Sequence, residues 1–349
     1  MAEFPHNPSR ALRSVTPLRI VTLGGGTGLS TLLRGLRDLS AELEHAAGSP
    51  PLDLAAIVTV SDDGGSSGRL RRDFDILAPG DIRNCMVALA EDETLLTKLF
   101  NHRFQSGKGL EGHNFGNLFL TALTEVTGDF HEAIKVSSEV LAIRGRIFPS
   151  TLENVRLEAE LHSGRSMLGE TRITGSRGGI KHMRLRPREC RPVPEALEAI
   201  AEADLITLGP GSLYTSVIPN LLISGVGEAV ARSSARKAYI SNLMSEPGET
   251  DGYSAADHLR AVYEHSGEGL VDTVIVNNRA APASALERYA SQGAFPVEVD
   301  EDALRKMGPG VEAAPLLADG PVVRHETATL ARLLVKLAVD GHRRRETSH

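Results

Sequence analysis

The stretch LRIVTLGGGTGLSTLLRGL, residues 18–36, constrains the fold more than any other part of the chain. Leu18–Leu23 is a short apolar run with β-branched residues, and the turn Gly24–Gly28 (GGGTG) follows at once. Leu29, Leu32, Leu33, Leu36 and Leu39 then recur at helical spacing, which starts a helix near Thr27. Leu54–Val60 (LAAIVTV) supplies a second strand, apolar throughout most of its length, as a parallel sheet buried on both faces requires. A Gly-Ser-Pro-Pro loop at residues 48–51 completes the βαβ unit. The right-handed crossover rule then sets the two strands side by side. The expected class is α/β with a mostly parallel sheet.

Composition narrows the function. The chain has 349 residues, enough for two domains or one large domain with an insertion. A net charge of -7 argues against a general nucleic-acid binder. Trp is absent and aromatics are 4%, which disfavours stacking on single strands. No apolar run approaches the ~20 residues of a membrane span. Residues 1–17 lack a signal-peptide core and read as a disordered extension. Cys85 and Cys190 lie far apart with no CxxC, so neither a disulfide framework nor a thiolate zinc site is expected. This usage suits a reducing cytoplasm.

Further along, residues 81–104 read as largely helical, with Leu95, Leu96, Leu99 and Phe100 on one face. Residues 155–188 alternate polar and apolar, which marks a small β insertion at about 150–190. The α/β pattern then resumes, with strands at Asp204–Leu208, Lys237–Ser241 and Val271–Val276. A C-terminal helix carries Leu330, Leu333, Leu334 and Leu337, and a basic tail is expected over residues 341–349.

Each strand ends in a polar or glycine-rich turn, and in an open parallel sheet those ends form the ligand crevice. Four turns are expected on one rim: 24–28, 61–72, 209–216 and 242–251. Gly24, Gly25, Gly26, Thr27 and Gly28 can bring backbone N–H groups close to a phosphate; at Gly26 the missing side chain is expected to leave room for it. The dinucleotide fingerprint G-x-G-x-x-G is incomplete, because its third glycine falls on Leu29 or Thr31. Gly209, Pro210, Gly211 and Ser212 form a second candidate phosphate turn, and no Walker A loop occurs. Asp62 and Asp63 end the second strand, where an acid can hold a ribose or a divalent cation. Arg69, Arg71 and Arg72 offer forked donors, although three in four residues cannot all face one ligand. Asp81 reads as a helix N-cap. Asn114 and Asn117 in GHNFGN, beside His113, and Asn242 with Glu246 and Asp251 complete the candidates. No HExxH, paired-carboxylate or Ser-His-Asp signature supports a hydrolase. The ligand that needs glycine backbone, cationic forks and an acid together is a nucleotide diphosphate.

The motifs GGGTGL, VSDDGGSSGRLR, PGDIRN, GHNFGN, GPGSLYTSVIPNLL and NLMSEPGETDGYSAADHL together resemble the YvcK/CofD-like family, most closely its bacterial gluconeogenesis-factor branch. The resemblance covers residues 18–340, with Cys85 where an aliphatic residue would be expected. It implies one modified Rossmann-like, doubly wound domain. In the bacterial branch it implies a cytoplasmic regulator that binds UDP-N-acetylglucosamine or a related nucleotide, NAD included. Such a regulator supports cell shape and cell-wall precursor supply during gluconeogenic growth. A regulated enzyme partner and a homodimer are expected with it, and no obligatory cofactor. The CofD branch implies instead a 2-phospho-L-lactate transferase acting on the deazaflavin Fo, assisted by a divalent cation such as Mg²⁺ at Asp62. By position, Tyr289 and Arg324 resemble residues tied to UDP-sugar binding.

Overall fold

The computed structural model describes residues 17–47, 52–91 and 95–347. The expected N-terminal extension (apart from Pro17) and the residue 48–51 loop lie outside them. Ten strands carry the architecture: β1 (Leu18–Gly24), β2 (Leu52–Val58), β3 (Arg146–Pro149), β4 (Arg156–Leu161), β5 (Ser166–Leu168), β6 (Ile180–Arg186), β7 (Leu205–Leu208), β8 (Arg236–Ile240), β9 (Thr273–Asn277) and β10 (Gly310–Ala314). Seven form one sheet in the order β10-β9-β8-β7-β1-β2-β3, and every neighbouring pair is parallel. Chain order runs outward from β1 to β3 on one side and from β7 to β10 on the other. The direction of winding reverses between β1 and β7, which is the switch point of a doubly wound sheet.

The core follows from the strand sequences. Ile20, Leu23, Ile57, Val58, Leu205, Ile206 and Leu208 are all buried, because helices cover both sheet faces. The helix Gly26–Ala47 turns Leu29, Leu32, Leu33 and Leu36 inward. The small sheet β5-β4-β6 is antiparallel and forms the expected insertion between β3 and β7. Its alternation is clean: Leu157, Ala159 and Leu161 face in, while Glu158 and Glu160 pair with Arg186, Arg184 and Lys181 outside.

Two local expectations change. The segment 81–104 is largely helical, in two helices, Gly80–Leu89 and Leu95–Asn101. Phe100 is buried, but Leu95 is 84% exposed, so the four apolar residues do not share one buried face. Residues 341–347 are not a tail. They are the last turns of the helix Thr327–Thr347, held because Arg345 and His342 reach the fully buried Asp204 at 3.1 and 3.0 Å. Cys85 packs in the core as an aliphatic residue would, and Cys190 is equally enclosed. Among the described residues no single helix is long and apolar enough to cross a membrane.

Candidate functional site

The carboxyl ends of β1 and β7 meet at the switch point, and a cavity of about 510 Å³ opens above them. The first wall is Gly25–Gly28 and Thr31. The second is Pro210–Ser212 with Ser216. The third is Asn242–Pro247, after β8. Tyr289 and Arg324 close it from the C-terminal part of the chain.

The two glycine turns touch backbone to backbone. A Cβ on Gly28 would meet the Pro210 carbonyl oxygen at 2.8 Å, so only glycine allows this approach. Gly26 has φ +64°, a left-handed conformation that glycine adopts without strain. Its side is open, with Ser216 Oγ the nearest atom at 3.7 Å. Its φ thus adds a conformational demand to the spatial one expected from the sequence. The helix Gly26–Ala47 begins here and aims its N-terminal N–H groups and the positive end of its dipole at the cavity. Asn220 Nδ2 donates to the Gly24 carbonyl at 3.1 Å, and Asn242 Nδ2 donates to the Gly211 carbonyl at 3.1 Å. These bonds tie the turns after β1, β7 and β8 together.

Behind the first glycine turn lies a group of acids. Asp81 is not an N-cap; Pro79 holds that position, and the Asp81 carboxyl accepts from the Gly26 N–H. Burial pushes it up to about 6, and the nearby Asp62 adds to the rise. Asp62 accepts from Gly64 N at 2.8 Å, and burial raises it as well. Glu170, from the insertion, is pushed up to about 9 by burial first and then by Asp62, Asp81, Glu249 and Asp63. No group of three or more His, Cys, Asp or Glu side chains among the described residues has metal-holding geometry. The donor set suits a divalent cation only in the form Mg²⁺ usually takes, held by one or two carboxylates and a ligand's phosphates. Asp62 and Asp81 would supply those carboxylates.

The remaining candidates stand elsewhere. Asp63 accepts from the Thr171 N–H and hydroxyl at 2.9 and 2.8 Å, which anchors the insertion. Arg69 donates to the Glu111 carbonyl, away from the cavity. Arg71 is buried against Asn154 and the Ser61 carbonyl. Asn114 caps the helix Phe115–Thr127 by accepting from Asn117 N, and Asn117 Oδ1 accepts from Arg83. The turn 61–72 thus supplies none of the cavity's lining, unlike the rim position expected for it, and Asp62 lies beside Asp81 behind the first glycine turn. Sequence reasoning misses Glu170, Glu249 and His325, while Ser216 lies in the turn 209–216 already expected on the rim. Only Glu249 carries a visible signal, its place in SEPGETDG.

A model of the family described as 2-phospho-L-lactate transferase CofD matches residues 20–317. The chain belongs to the CofD family. This CofD-family protein is 46% identical over 320 residues to the Gluconeogenesis factor of Bacillus subtilis, covering 91% of this chain and 98% of that one. It is 45% identical over 318 residues to the Gluconeogenesis factor of Halalkalibacterium halodurans, covering 91% and 95%. A Bacillus halodurans protein of the upf0052 family has been solved by crystallography. The CofD-family fold described here superposes on it with a TM-score of 0.87 at 44% identity, covering 92% of this chain and 100% of that one.

Proposed function

We propose that the protein binds a nucleotide sugar, UDP-N-acetylglucosamine, in the switch-point cavity and acts as a regulator rather than a catalyst. The observation that carries this reading is the pair of glycine turns in backbone contact at a helix N-terminus, with Tyr289 and Arg324 on the same cavity. A diphosphate fits the turns because N–H groups and a positive dipole face it. Arg324 is exposed on the cavity wall, so its guanidinium can reach a phosphate. Tyr289 offers a ring beside it, with its hydroxyl already held by Val323 N at 3.1 Å. The volume lies within the usual range of about 300–1,000 Å³ for small-molecule sites. The relatives named Gluconeogenesis factor support a role in gluconeogenic growth. Cell shape and cell-wall precursor supply are the processes we assign to it, through a protein partner.

Calorimetric titration with UDP-N-acetylglucosamine, with NAD as the comparison, tests the reading. Selective binding of the UDP-sugar without turnover supports it. Binding of NAD alone overturns it.

A second reading is favoured by the family model's name and by the acids behind the glycine turn. As a 2-phospho-L-lactate transferase, the protein would use Asp62 and Asp81 to hold Mg²⁺ with the donor's diphosphate. The ion would neutralise charge on the phosphate oxygens. An assay with Fo and a guanosine-diphosphate-activated phospholactate donor decides it; product formation lost in Asp62→Asn would establish transfer.

A further inference from the structure

The cavity wall after β8 contains two carboxyls in contact, Glu246 and Glu249. Glu246 faces the cavity, and its Oε1 accepts from Ser212 Oγ at 2.9 Å and from Asn242 Nδ2 at 3.5 Å. Glu249 is 3% exposed, and its carboxyl lies within hydrogen-bond reach of that of Glu246. Oε2 of Glu249 is buried and receives no donor. Ionised carboxylates only accept, so two of them cannot bond one another. A buried acceptor left without a donor is costly. One proton answers both problems: Glu249, protonated, becomes the donor and Glu246 the acceptor.

The surroundings favour that proton. Glu170 of the insertion and the Tyr214 hydroxyl face Glu249, and the Tyr239 hydroxyl faces Glu246. Asp251, on the same loop, accepts from Gly248 N. Arg324 and His325 line the cavity with Glu246, but neither bonds it. Burial and the neighbouring Glu246 push Glu249 up to about 8. Burial raises Glu246 as well, but Ser212 and Asn242 donate to it and no donor reaches Glu249 Oε2, so a proton shared by the pair belongs on Glu249 and the negative charge on Glu246. Ser212, Asn242 and Glu249 occupy three of its roughly four acceptor sites, which leaves capacity on the cavity side.

We propose that Glu246 is the cavity's acceptor for hydroxyl groups of a sugar-bearing ligand, and that a proton held by Glu249 keeps it positioned there. This rests on the nucleotide-sugar reading. A fixed carboxylate repels phosphate and attracts O–H donors, so it selects for ligands that bring sugar hydroxyls with their diphosphate. Glu249 is a positioning residue that acts through Glu246.

The test is calorimetry of the wild type, Glu246→Ala and Glu249→Gln with UDP-N-acetylglucosamine, UDP and pyrophosphate, between pH 6.5 and 9.5. Glu246→Ala should weaken both nucleotides at least about tenfold, as expected for loss of a hydrogen bond to a charged group, and should not weaken pyrophosphate. Wild-type nucleotide affinity should fall above about pH 8, where Glu249 loses its proton. Glu249→Gln keeps a donor in place, so it should bind like the wild type at pH 7 and lose that fall. Equal weakening of pyrophosphate, unchanged nucleotide binding in Glu246→Ala, or an unaltered pH profile in Glu249→Gln each overturns the proposal alone. If Glu246→Ala does not fold, Glu246→Gln takes its place, with the same results expected and the same results overturning the proposal. A wild type that binds neither nucleotide overturns the nucleotide-sugar reading and this one with it.

Discussion

Gly28 and Gly26 show how differently two neighbouring glycines can be required. At Gly28 an added Cβ runs into the Pro210 backbone, which cannot swing away as a side-chain end could. Gly28→Ala should therefore destabilise the protein by about 1–3 kcal/mol, the usual cost of overpacking, despite alanine's better helix propensity. It should also push the two glycine turns apart and, if the proposed function holds, weaken nucleotide binding at least about tenfold, or about 1.4 kcal/mol. At Gly26 the φ of +64° is a demand in itself, and Gly26→Ala should cost about 1–2 kcal/mol through strain without running into the facing backbone. Denaturant titration paired with calorimetry separates the two cases. The glycines are legible in the sequence because a strand-turn-helix is a local pattern. Asp81 misleads for the same reason: Pro-Gly-Asp reads locally as a cap, and its true partner, the Gly26 N–H, lies far away in sequence.

Elements meet here through a few polar contacts whose protonation matters. His265, on the helix Ala255–Ser266, stacks on His182 of β6 with ring centroids 4.4 Å apart. Its Nδ1 donates to the Ala261 carbonyl at 2.7 Å, and its Nε2 accepts from Met183 N at 2.9 Å. The second bond needs the neutral ring, because a protonated Nε2 cannot accept. Burial lowers His265 to about 4, with His182 and Arg184 adding to the effect. An unfolded histidine titrates near 6.5. The contribution is complete above that pH and is lost as pH falls toward 4, by up to about 1.4 kcal/mol per unit. His265→Phe should flatten this acid dependence between pH 6.5 and 4, in urea titrations run across that window. His325, also lowered to about 4 by burial, should leave a residual slope. The C-terminal helix makes a second such link. Deleting residues 341–349 leaves Asp204 buried without Arg345 or His342, and should cost at least about 3 kcal/mol in denaturant unfolding. The basic run there reads as a solvated tail because its partner, Asp204 immediately before β7, lies far away in sequence.

At the scale of the whole molecule, the cavity sits on the seam between the β1–β3 half and the β7–β10 half. A ligand there contacts both halves and binds only the folded chain. At a hundredfold excess over Kd it should stabilise the protein by about 2.7 kcal/mol, read as a rise in Tm that grows with ligand concentration. The parallel sheet and the β insertion are readable from strand patterns alone, since apolar runs and alternation are short-range signals. The acids and the cavity's outer wall are not. Glu170 and Glu249 come near each other from distant segments, as Tyr289 and Arg324 do on the cavity, and Tyr289 and Arg324 are reached only through the family resemblance. The enclosed cysteines carry a practical consequence. Cys85 and Cys190 are 0% and 1% exposed, and burial raises both thiols, so neither presents a thiolate to solvent. A thiol reagent should label nothing in the native protein and two sites after unfolding, giving a clock for opening events. A single cysteine introduced at Phe295, which is 55% exposed beside the cavity wall, should then be labelled alone and report ligand arrival without background.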